Sequence, residues 1–187
     1  MPRYLLAALV WGLAASFSTP AGAIIREWDD GGAGTNWTAG NNWNPNGVPE
    51  SADQVFIGNH ANAGDDTVIF NVAADTVTSL VLVNGADLDI NGGELLVLED
   101  TFIGIEGVSG STPAELFVRP VLGTALDTNT LTINDEGQLT MFGGLVSVDG
   151  TGSSLGLLSI EDGGEIFGHG TIPLDERQEL EFGEGRC

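Results

Sequence analysis

The sequence predicts an all-β protein: a single-stranded β-solenoid (β-helix) with a tryptophan-rich N-terminal cap, set behind a cleaved signal peptide. Three observations carry that prediction. Glycine fills 28 of 187 positions while charged residues make up only 17%, the usage of a chain built from many turns and short strands. Past residue 66, short segments alternate apolar and polar side chains, the period of a strand with one buried face. The same apolar pattern also returns from Leu80, Leu131 and Leu158, at spacings too short for independent domains.

Residues 1–23 have the three parts of a secretory signal. Arg3 supplies the positive start, Leu5 to Phe17 the apolar stretch, and Ala21-Gly22-Ala23 the small residues of a cleavage site. The apolar run is shorter than the roughly 20 residues needed to span a bilayer. No second apolar stretch follows, so no stable membrane span is expected, and the product is expected to be secreted, extracellular or at a bacterial cell surface. Cleavage there would leave four arginines, no lysine and no tyrosine against 27 acidic residues. Such a chain lacks the cations that neutralise phosphates, which excludes nucleic acid as a partner. Cys187 is the single cysteine, so no internal disulfide contributes.

Residues 24–58 form the cap. Trp28, Trp37 and Trp43 lie close together in it, and Val48-Pro49 marks a turn leading to the short strand Val55-Phe56-Ile57. A stacked coil leaves an open apolar cross-section at each end, and three large rings suit the task of covering the first.

Residues 59–172 carry the repeats. Leu131, Ile133, Leu139 and Met141 alternate with polar residues around a short turn, and the offsets recur in Leu80, Leu82, Leu88 and Ile90 and again in Leu158, Ile160 and Ile166. The first two copies also share Gly92-Gly93 with Gly143-Gly144, and Val97 with Val148. The last spacing is 27 residues and the earlier one 51, close to two such steps, which places a degenerate copy around Ala114 to Leu126. Stacked coils point alternate side chains inward, so Leu80, Leu131 and Leu158 should form one column and Leu82, Ile133 and Ile160 another. A β-sandwich of similar hairpins is the competing architecture. Residues 173–187, with five acids against two arginines, read as a solvated acidic C-terminal tail.

The pattern Trp28, Gly31-Gly32-Ala33-Gly34, Asn36-Trp37, Asn42-Trp43, Pro49, Asp53 and Val55-Phe56-Ile57-Gly58 resembles the start of secreted bacterial β-solenoid surface proteins. These include autotransporter-passenger-like proteins and exported proteins that carry a PEP-CTERM sorting tail. The Leu-x-Ile units and Gly168-His169-Gly170-Thr171-Ile172 are similar to the repeats of those proteins, so the resemblance covers about residues 27 to 172. It implies a non-enzymatic structural or adhesive module, with cell-surface polysaccharide or other surface proteins as partners, and it carries over no catalytic residue.

Chemistry is sparse in the residues themselves. Asp87 and Asp89, two apart on a strand, project from one face and are the candidate pair for a carbohydrate-active β-helix enzyme, a glycoside hydrolase or lyase. Alternation with Leu88 and Ile90 explains both carboxylates without catalysis. Arg119 is the only arginine or lysine between positions 27 and 176, so a polyanionic substrate would be repelled. Calcium, a hard cation that takes oxygen ligands, is the ion that corner acids would hold; the candidates are Asp65, Asp66, Asp135, Glu136, Glu161 and Asp162. As solvated turn residues they need no ion, which is the favoured reading, and no other cofactor is expected. His60 and His169 lack a second ligand at metal-binding spacing. A carbohydrate-binding module is a further reading, and it requires Trp28, Trp37 and Trp43 to be exposed.

Overall fold

The computed structural model describes residues 24–58, 66–104, 112–121, 123–134, 136–148, 156–161, 164–173 and, for the backbone, 179–182. The signal segment, His60, Asp65, Asp135, Asp162 and most of the C-terminal tail lie outside the described residues. Within them the protein is all-β, as the sequence predicts: fourteen strands in one curled sheet of mixed sense, with a single three-residue 3-10 helix. Among the described residues no helix is long and apolar enough to cross a membrane.

The strands are β1 (Ile25–Trp28), β2 (Trp43–Asn44), β3 (Gln54–Ile57), β4 (Thr67–Phe70), β5 (Ala74–Val77), β6 (Ser79–Leu82), β7 (Asp87–Ile90) and β8 (Glu94–Ile103). They continue with β9 (Ala114–Val118), β10 (Ala125–Ile133), β11 (Gly137–Val148), β12 (Leu157–Ile160), β13 (Glu165–Thr171) and β14 (Glu179–Phe182). The β1–β2 pair is antiparallel, and every other strand pair among the described residues is parallel.

The parallel pairs sort into three ladders. One runs through β1, β3, β6, the end of β8, the end of β10, β12 and β14. A second runs through β4, β7, β9, the start of β11 and β13. The third joins β5 to the start of β8, the start of β10 and the end of β11. From β3 onward the chain visits these ladders in the same cyclic order, and β8, β10 and β11 each pass from one ladder to another.

Alternation along each strand decides what fills the space behind the ladders. Leu80, Leu82, Leu88, Ile90, Leu131, Ile133, Leu139, Met141 and Leu158 are buried in one apolar cluster, while Ile160 and Ile166 are half-buried. Leu131 stands in register with Leu158 on one side and with Thr101 on the other; Thr101 in turn faces Leu80. The copy between Leu80 and Leu131 is therefore Thr101–Ile103, not the segment from Ala114 to Leu126. That segment supplies β9 to the second ladder and the start of β10 to the third. A polar residue in an apolar column hid this copy from an apolar search. Thr101 is accommodated because its hydroxyl donates to Thr128 Oγ1 at 2.9 Å, so both buried groups are satisfied.

Corners between the second and third ladders need special backbone. Gly93 has φ of 74°, and a Cβ there would overlap the Val72 carbonyl oxygen. Gly143, at the equivalent corner of β11, has φ of 112°. Two expected boundaries are crossed by pairing. β3 lies in the 24–58 segment yet pairs with β6, and residues 179–182, read as solvated tail, form β14 against β12. The alternation Glu179-Leu180-Glu181-Phe182 is itself a strand pattern, which the high charge of the segment obscured.

The tryptophans pack as one unit. Trp28 and Trp43 meet edge to face at 5.0 Å, as do Trp37 and Trp43 at 5.1 Å and Trp37 and Phe70 at 5.4 Å. Trp43 Nε1 donates to the Trp37 carbonyl and Trp37 Nε1 to Asp75, so these two indole N–H groups are not left unpaired by burial. Beside them, Arg26 occupies an inward position of β1 in register with Val55. Its Nε donates to Asp53 Oδ2 at 2.6 Å and its Nη1 to the Pro45 carbonyl. Asp53, 2% exposed, also accepts from the Glu50 amide, so the buried carboxylate is held by several donors.

Candidate functional site

The outer side of the second ladder departs from the polar surface that alternation leads one to expect. Asp89 on β7 is in register with Phe117 on β9; Phe117 stands opposite Thr140 on β11, and Thr140 opposite Phe167 on β13. One step along, Phe142 faces His169. The Phe117 and Phe142 rings are nearly parallel, 6.4 Å apart with 12° between planes. The Arg119 guanidinium carbon lies 5.4 Å from the first ring centroid and 5.1 Å from the second, within reach of a cation–π interaction with both.

Asp89 fixes that guanidinium in place. Arg119 Nε donates to Asp89 Oδ1 and Nη2 to Oδ2, both at 2.8 Å, a two-point fork. The hydrogen bond that Arg119 donates to Asp89 raises the Arg119 pKa above its ordinary value, partial burial opposes that rise, and the carboxylate charge adds to it. The sequence-derived catalytic pair is therefore not a pair of free carboxylates. Asp89 is committed to Arg119, Asp87 is also engaged, and both lie on an outer strand face.

Beside Phe142 the chain turns through Gly143-Gly144 and leaves a groove of ≈ 690 Å³. Pro120, Val121 and Leu145 give it apolar walls, Glu94 supplies a carboxylate, and Thr124 lines it as well. Val121, Leu145, Phe142 and Phe167 are the large apolar side chains left exposed in this part of the molecule. Thr124 is buried, and its Oγ1 has no hydrogen-bond partner among the described residues. Neither Asp87 nor Asp89 lines the groove.

The other sequence-derived residues are dispersed. Glu136 adopts a left-handed turn conformation with φ of 57°, Glu161 accepts from the Ser159 hydroxyl, and Asp66 is buried and engaged. Among the described residues, no group of three or more His, Cys, Asp or Glu is placed to hold a metal ion. Trp28, Trp37 and Trp43 are fully buried, so none offers a ring to a sugar. What sequence reasoning missed is the Phe117–Arg119–Phe142 cluster. A signal for it existed: Phe117, Phe142 and Phe167 sit at outward positions, where alternation calls for polar residues. Comparison with protein-family models, with curated proteins and with solved structures returns no match for this chain.

Proposed function

We propose that the chain is an exported, non-enzymatic β-solenoid that serves as a structural or adhesive module outside the cell or at its surface. The observation that carries this reading is the cyclic use of three parallel ladders with apolar residues inside and carboxylates outside. A wound chain produces that order directly, because each turn adds one strand to each face. Tryptophans buried at the first strands suit a cap over an otherwise open end. The resemblance to secreted bacterial surface proteins and the leader-like residues 1–23 support export.

A rigid stack with an aromatic strip outside fits adhesion better than catalysis. Asp89 is neutralised by Arg119, and no second free carboxylate accompanies Glu94 in the groove among the described residues. Calcium binding by the corner acids Asp65, Asp66, Asp135, Glu136, Glu161 and Asp162 is part of the same proposal. The test is expression of the full coding sequence in an exporting bacterial host. The secreted product should begin at Ile24, coat bacterial cells, and release neither reducing ends nor unsaturated products from neutral or acidic polysaccharides. Catalytic turnover that Asp89→Asn abolishes would establish the enzyme instead.

A further inference from the structure

We infer that the groove beside Gly143, together with the exposed ring of Phe142, the residue before Gly143, binds a segment of an uncharged polysaccharide. This rests on the adhesive reading above and names the class of its ligand.

Thr124, which lines the groove, carries a buried hydroxyl with no hydrogen-bond partner among the described residues. A polar group taken out of water without a hydrogen-bond partner is unfavourable, and a hydroxyl both donates and accepts. Sugar hydroxyls match that ambivalence, and Glu94 in the same groove supplies a second acceptor. The apolar elements match the other half of a sugar's surface. Pyranose rings present C–H faces, and here Val121 and Leu145 line the groove while the Phe142 ring is exposed one residue before Gly143. Phe142 is preorganised by its stacking on Phe117 and by Arg119, which Asp89 clamps, so little ordering is left to pay on binding.

Charge selects among occupants. With Arg119 matched by Asp89, no unpaired cation among the groove residues greets an anion, and the chain carries a formal charge of -22. Acidic polymers and a second copy of this chain would both be repelled. A neutral polymer is not.

The test is affinity electrophoresis of the full chain in native gels cast with hydroxyethyl cellulose, galactomannan or dextran, and with polygalacturonate as the acidic probe. At least one neutral polymer should retard the protein, and polygalacturonate should not. Phe142→Ala should weaken retardation about tenfold, the size of one lost aromatic contact. Thr124→Val keeps the side-chain shape and removes only the hydroxyl. It should weaken retardation while leaving thermal stability equal or higher. Phe56→Ala, on the outer side of β3, should change nothing. The assignment is overturned if no neutral polymer retards the chain, if the acidic one does so preferentially, or if Phe142→Ala and Thr124→Val both retain wild-type retardation. Concentration-dependent dimerisation abolished by Phe142→Ala would overturn it in favour of self-association. If the protein coats cells yet fails in every gel, the ligand assignment fails and the adhesive reading stands; if it does neither, both fail.

Discussion

Arg119 reaches back 30 residues to clamp Asp89 with two parallel 2.8 Å hydrogen bonds, one strand step across the outer face of the second ladder. The pair is partly exposed, so solvent screening limits its worth, and its bidentate geometry puts it at the upper end for such pairs. Asp89→Asn is expected to cost about 1 kcal/mol. In a domain of this size that lowers the melting temperature by about 2–4 °C, as read by circular dichroism. The Arg119 pKa is shifted upward, so the fork's arginine contribution is fully present below the ordinary arginine range and lost only as pH rises through the raised value. No arginine-linked step should therefore appear across the neutral range.

The Arg26–Asp53 pair is a different case because it is buried. Removing one partner leaves an uncompensated charge, which costs about 3–5 kcal/mol. Arg26→Met should thus lower the denaturation midpoint far more than Asp89→Asn does. Equal losses in the two variants would show that burial does not govern the first pair.

Leu131 tests the inward columns. It is fully buried between Thr101 and Leu158, so Leu131→Ala should cost about 2–5 kcal/mol through lost contacts and a residual cavity. Leu131→Asp places an unpaired charge in the same space and should abolish the cooperative thermal transition. A variant that kept its full transition would refute the buried register.

Burial of Trp28, Trp37 and Trp43 has an optical consequence. In a variant expressed without residues 1–23, and so without Trp11, emission should be blue-shifted and acrylamide quenching weak. Quenching close to that of free tryptophan would mean that the three rings face solvent.

The inward half of this structure was legible because side-chain period and burial coincide. Leu80, Leu131 and Leu158, with Leu88 and Leu139, occur where alternation puts them, and Val97 and Val148 reach the third ladder at a shared offset. Legibility failed where a polar residue took an inward position. Thr101 and Arg26 are tolerated there only because Thr128 and Asp53, far away in sequence, complete their hydrogen bonds. The strand of residues 179–182 was masked by its glutamates. The outer cluster was hidden for a related reason. Phe117, Arg119 and Phe142 become neighbours only through ladder register, and the connections that set register vary in length, so no local motif announces the group.

The long strands that belong to two ladders have a mechanical meaning. β10 pairs with β8 through residues 125–128 on one ladder and through 130–133 on another, and β11 divides in the same way between β9 and β10. Tension on either ladder is passed around the bend to its neighbour, so no face can be peeled away while the others stay intact. Under load, the two faces should therefore give way together at these shared strands rather than one after the other.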